Sequence, residues 1–454
     1  MHIGTRAVAA LALALVLANN APAGTEPQAR ELAARAALDA LVTRLADAGG
    51  GGDTDRNALV RVDGARDGFV HAAAAGRARV DGVDRMTADR PFYVASITKS
   101  MVAARILQLV EAHRLSLDTT LGQAGLLPAD ALERLQVFEG RSYGAGITVR
   151  QLLSHRTGFR DVLLDDRESL SGEVESGVAP GSIGGIWSSQ IGRYLQCRQE
   201  PDICNPGEAA ALYPAHRWKP FDAAAWQRAS GDRDAGLINF FLAEMGDAGL
   251  SAPGTDFHYA DTNYILLGML IEKLTGHSLH AELRDNLFKP LGMDHTYLSY
   301  APDPDARPRD LAPADFWIGD VAVVSNQLDL SFDWAGGGVV ATAADLDRFL
   351  RGIASGRIFK NDASRAAMLD CIDTPGPPDQ RGGYGFGIRC LETEYGPMWG
   401  HFGAWGAAMV YFPEYDLSLT GTVDRMSDSA GMQALVFDSM QVLETAGVIR
   451  RQRH

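Results

Sequence analysis

Strand-like runs stand at both ends of this chain and helical ones fill its middle, an order that few architectures can bury. Near the N-terminus, Leu59–Val62 and Phe69–Ala75 flank the turn-like stretch DGARDG, the pattern of a hairpin. Near the C-terminus, YGFGIRC, PMWGHFGAWG, AAMVYFP and LSLTGTV follow one another between Tyr384 and Val423. From about Asp118 to Leu330 strand signals are scarce, and helical stretches alternate with Gly and Pro. The expected fold is therefore α/β in the α+β sense: an antiparallel sheet built from both termini and flanked by helices, with a mainly helical region inserted between. Residues 24–125 and 335–454 would form the α/β part and 126–334 the helical part, with a cleft where they meet. Amphipathic helices over Pro27–Ala48 and Gly431–Thr445 would lie outside the strands in sequence.

With 454 residues, 46% apolar and 22% charged, the composition is globular. A net charge of −15 without any basic stripe disfavours a nucleic-acid partner. Arg6, the apolar run Ala7–Ala18 and the small residues Ala21 and Ala23 read as a signal peptide over 1–23, cut after Ala23. The alternative is an uncleaved anchor, although about a dozen apolar residues are too few to span a bilayer. The expected location is secreted or periplasmic, with no membrane span in the mature protein. In an oxidising compartment the four cysteines read as two disulfides. Short loops favour Cys197 with Cys204 and Cys371 with Cys390, among three connectivities. No histidine stands at zinc-ligand spacing beside them, so no metal and no other cofactor is expected.

Ser96 opens a stretch whose apolar positions, Met101, Val102, Ile106, Leu109 and Val110, recur at helical spacing. Lys99 lies three residues on, so the two side chains share a helix face. A serine hydroxyl needs a neighbouring base, and a desolvated lysine can serve. Of the five lysines only Lys99 has a serine at that spacing. Of the twelve tyrosines only Tyr259 is followed two residues later by Asn or Asp, here Asp261. Further on, His401-Phe402-Gly403 lies in a strand-like segment, where glycine suits a backbone that approaches a ligand closely. Singly, each has a duller explanation: a core tyrosine, a surface aspartate, a strand-end histidine.

In this order, SITK, YAD and HFG resemble the three motifs of the class C β-lactamase and penicillin-binding-protein-like serine hydrolases. ITVRQLLSHRTGF (Ile147 to Phe159), LFKPLGMDHTYL (Leu287 to Leu298) and AGGGVVATAADLDRFL (Ala335 to Leu350) resemble family stretches too. The resemblance covers roughly Asp53 to the C-terminus, apart from 161–249, which holds Cys197 and Cys204 and reads as an insertion, either a roof over the cleft or a surface elaboration. The family includes β-lactamases, esterases, D-aminopeptidases and D,D-peptidases, and it implies a β-lactamase/transpeptidase-like fold. Carried over, Ser96 would be acylated, with Lys99 or Tyr259 as the base and Tyr259 relaying a proton to the leaving group. The Ser96 and Ala404 backbone N–H groups would form the oxyanion hole. Asp261, His401 and Gly403 would contact the substrate.

Asp261 stands where the β-lactamases have asparagine, and His401 where they have lysine. An ionised aspartate cannot donate to a substrate carbonyl, but it can hold Lys99 protonated. A histidine is only partly charged near neutrality, which weakens recognition of a β-lactam carboxylate. The expected activity is esterase-like hydrolysis of small molecules or short peptides through an acyl-enzyme. A D-amino-acid-directed peptidase or a β-lactamase is the alternative within this chemistry. A non-catalytic cell-envelope binding protein is the alternative of another class, and it should have lost Ser96, Lys99 or Tyr259.

Overall fold

The computed structural model describes residues 26–47, 56–64, 68–163, 165, 221–228, 236–299, 312–318, 321–328, 330–374, 382–425 and 429–450. The leader expected over 1–23 and the pair Cys197 and Cys204 lie outside these residues, as does most of 161–249.

The main sheet has eight strands drawn from both ends of the chain. The N-terminal hairpin contributes β1 (Asn57–Gly64) and β2 (Phe69–Gly76). Two two-residue strands, β3 (Phe92–Tyr93) and β4 (Tyr297–Leu298), pair with β5 (Val339–Ala341) in a separate three-stranded sheet. The C-terminal run supplies β6 (Ile372–Asp373), β7 (Gly382–Tyr384), β8 (Arg389–Thr393), β9 (Gly396–Gly403), β10 (Ala407–Phe412) and β11 (Leu417–Val423). The order in the sheet is β6-β7-β8-β9-β10-β11-β1-β2, and every neighbouring pair is antiparallel. The join between the two ends is β1 with β11, where Val60 faces Gly421. The small sheet was not anticipated, because a two-residue strand is too short to show a period of two.

Helices cover both faces, so β10 and β11 are buried at every position and read as continuous apolar or small residues. On one face lies α1 (Glu26–Asp47), whose Leu38, Leu41 and Val42 pack with Val60, Val410 and the closing helical segment's Leu435 and Leu443. On the other face lies α2 (Ile97–Glu111), within the larger core that also holds α3 (Asp261–Thr275) and α4 (Ala343–Ala354). Thr342 caps α4 by accepting a hydrogen bond from the Asp345 N–H, and Gly276 closes α3 in the left-handed conformation. Cys371 and Cys390 form a disulfide, as their short separation suggested. It joins the segment entering β6 to β8, the strand that carries Arg389. No helix among the described residues is long and apolar enough to cross a membrane.

Candidate active site

Ser96 is the N-cap of α2 and half-buried, with Ala95 before it at φ 47°. A left-handed alanine is an uncommon conformation, and here it turns the chain sharply from Val94 into the helix. Gly403, at the end of β9, lies against this turn so closely that a Cβ there would overlap the Val94 carbonyl oxygen. That approach brings the next residue, half-buried Ala404, to the segment bearing Ser96. The sheet and the N-terminus of α2 thus meet at the expected nucleophile.

Lys99 is fully buried and reaches three acceptors. Its Nζ donates to Ser96 Oγ at 3.1 Å and to the Gly336 carbonyl at 2.8 Å, and it makes an ion pair with Asp261 Oδ1. Asp261 is the first residue of α3, and its N–H donates to Asp161 Oδ2 at 3.0 Å. Asp161 is buried, and desolvation first, then the Asp261 charge, push its carboxyl well above the usual range. The Asp261 carboxylate therefore faces Lys99 inside the protein.

Tyr259 precedes α3 and is held by stacking. Its ring lies 4.3 Å from the ring of His155. His155 Nδ1 accepts from the N–H of Ala260 at 3.1 Å and from Asn263 Nδ2 at 3.1 Å, which places the ring proton on Nε2. Burial, and then the Lys99 charge, keep His155 neutral by pushing its pKa well below the usual value. Two cations lie over the Tyr259 ring: Lys99 Nζ at 5.0 Å and the Arg389 guanidinium at 5.4 Å.

His401 differs from expectation. It is 1% exposed, its Nδ1 donates to the Phe402 carbonyl at 2.7 Å, and Tyr384 donates to its Nε2 at 3.0 Å. Burial first, and then the Arg389 charge, push its pKa well below the usual histidine value. His401 thus supplies no positive charge at mildly acidic pH; it orients Tyr384. The permanent charge comes instead from Arg389 on β8, opposite Gly400 of β9 and also over the Tyr384 ring at 5.9 Å.

All the residues singled out from the sequence therefore gather at one place: Ser96, Lys99, Tyr259, Asp261, His401, Gly403 and Ala404. Sequence reasoning missed Arg389, Tyr384, His155 and Asp333. His155 and Asp333 lie in or beside family-like stretches, which was the available signal; Arg389 joins the site only through strand register.

The model of the Beta-lactamase family matches residues 38–185 and 212–436, leaving between them a stretch that contains Cys197 and Cys204. Penicillin-binding protein 4 of Amycolatopsis lactamdurans is 26% identical over 369 residues, covering 76% of this chain and 74% of its own length. A D-aminopeptidase of Brucella canis is 26% identical over 294 residues, 58% of this chain, and the match spans 51% of that relative. Among solved structures, a D-stereospecific amidohydrolase from Streptomyces sp. has a TM-score of 0.60 at 22% identity, covering 89% of this chain and 98% of its own. A D-amino acid amidase from Ochrobactrum anthropi SV3 has a TM-score of 0.62 at 19% identity, covering 91% and 99%. At those identities the likeness is one of fold. With most of its length matched by the family model, the chain belongs to the Beta-lactamase family and is a serine hydrolase.

Proposed function

We propose that Ser96 is the nucleophile of an amide- or ester-cleaving reaction on small molecules or short peptides. The observation that carries this reading is the 3.1 Å contact between Lys99 Nζ and the hydroxyl of a half-buried serine at a helix start. Ser96 Oγ attacks the substrate carbonyl carbon, and its proton passes to a base. Lys99, paired as a cation with Asp261, has no lone pair to accept it. That leaves Tyr259, under two cations that favour negative charge on its oxygen. The N–H groups of Ser96 and Ala404 would hold the developing oxyanion, each such donor contributing about 3 kcal/mol. The proton returns through Tyr259 to the leaving nitrogen or oxygen as the C–N or C–O bond breaks, and water then hydrolyses the acyl-enzyme. A non-catalytic binding role would not need this apparatus.

Derivatives of D-amino acids are the first substrates to try, on the strength of the D-aminopeptidase relative, with short-chain esters the sequence-based alternative. A second reading, a carboxylate-bearing D,D-peptide, is favoured by Arg389, whose guanidinium has no carboxylate partner among the described residues and lies over Tyr259. One panel separates the three: p-nitrophenyl acetate and butyrate, D- and L-phenylalanine amide, a D-Ala-D-Ala peptide and nitrocefin. We expect an ester or D-amide to give the highest kcat/KM. If the peptide leads and Arg389→Gln raises its KM while sparing the esters, the second reading replaces the first. Ser96→Ala should abolish all turnover and all fluorophosphonate labelling; labelling on another peptide would remove the nucleophile assignment. Residues 24–125 and 335–454 would be the α/β part of the enzyme and 126–334 the helical part.

A further inference from the structure

Two carboxyl groups and one lysine meet on a single turn of backbone beside Ser96. A Cβ on Gly336 would stand 2.6 Å from Asp261 Oδ1 and 3.2 Å from Asp333 Oδ1, and one on Gly337 would overlap the Asp333 carboxyl. Glycine at both positions lets the two carboxyl groups rest against the same turn whose carbonyl receives Lys99. Asp333 is 7% exposed, and the charged groups that face it are Asp261 from α3 and Lys99 from α2. Asp161, Asp165 and His258 lie beyond, reaching Asp261 through its backbone N–H to Asp161. Lys99 hydrogen-bonds to Ser96 and Gly336 and pairs with Asp261, and among the described residues it makes no hydrogen bond to Asp333. Two ionised carboxylates beside one fully used ammonium, away from water, is an unfavourable arrangement.

We propose that Asp333 is a positioning residue that works in its protonated form, leaving Asp261 the one carboxylate that faces Lys99, and that its ionisation slows activation of the serine. The inference rests on Ser96 being the nucleophile. With Asp333 neutral, Lys99 is opposed on this turn by Asp261 alone, and the negative charge arriving on the carbonyl oxygen meets no second carboxylate. With Asp333 ionised, one more negative charge stands on the same turn, shares the Lys99 charge with Asp261 and opposes the charge arriving on the carbonyl oxygen. Burial, and then the Asp261 charge, push the Asp333 carboxyl up to about 7 against the attraction of Lys99, so the change falls within the ordinary working range.

The test uses the full chain and an uncharged fluorophosphonate, so no natural substrate is needed. The rate of Ser96 phosphonylation is followed from pH 5.5 to 9.5 in the wild type, Asp333→Asn and Asp333→Ser. In the wild type a decline should set in near pH 7. In the variants it should vanish, leaving them roughly tenfold or more faster than wild type at pH 9. Thermal melting supplies a second readout. A carboxyl whose folded pKa lies above its unfolded value costs stability as pH rises through that interval. The wild type should therefore lose more Tm between pH 5 and 8 than either variant does. Parallel rate profiles, or a folded variant slower at every pH, would overturn the proposal. Absence of Ser96 labelling in the wild type would instead overturn the nucleophile reading, while the melting comparison still decides whether Asp333 holds a proton.

Discussion

Lys99 is the residue on which the chemistry turns, because its geometry is that of a cation. Three acceptors surround one buried ammonium, and Asp261, standing where asparagine was the expectation, is what fixes that state. In the mechanism proposed above, the base is then Tyr259. We expect Tyr259→Phe to lower kcat about 10²–10⁴-fold with little change in Tm, because the stacking on His155 survives loss of the hydroxyl. Stopped-flow or initial-rate kinetics on the best substrate of the panel, beside a thermal melt, checks this; a less than tenfold loss would return the base role to Lys99. Ser96, Lys99 and Tyr259 were legible in the sequence because two of them share a helix turn and the third has a neighbour at fixed spacing. Asp333 and Arg389 were not. Their places depend on which distant backbone they face, and the sequence around each has no period that reports it.

Among the elements, β9 and the turn before α2 meet at a close junction in the site. Gly403 has no side chain because the Val94 carbonyl occupies the place. Gly403→Ala should push the strand away from Ser96 and with it the Ala404 N–H. We expect at least about a hundredfold loss of kcat, the scale of losing one oxyanion donor, with KM much less affected. Unchanged kcat in a folded variant would show that this junction does not set the oxyanion geometry. The strands themselves were legible at both ends of the chain, since β9 and β10 are rich in apolar and small residues and β10 lies between Gly406 and Pro413, whereas the run YGFGIRC is split between the end of β7 and the start of β8. Their register was not: nothing in the sequence says that Arg389 stands opposite Gly400, and so beside His401's strand position. The charge expected from His401 is supplied one strand away for that reason.

At the scale of the whole molecule, the antiparallel sheet from both termini was readable because no other arrangement buries both sets of strands. The short strands β3, β4 and β5 were not readable, and neither was the helix packing. We expect the mature protein to begin near Gly24 and to show no titratable thiol when denatured without reduction. N-terminal sequencing and a thiol assay check both, and about four free thiols would overturn the pairing and the compartment together. The seam between β1 and β11 sets an order of events. Val60 is made early and Gly421 near the end, so throughout synthesis the first hairpin waits with one edge open for a partner not yet translated. A chain emerging in sequence cannot assemble its catalytic strand into a finished sheet before its last strands arrive. Message truncated within the codons of β11 would thus yield an open-edged intermediate and not a weaker enzyme.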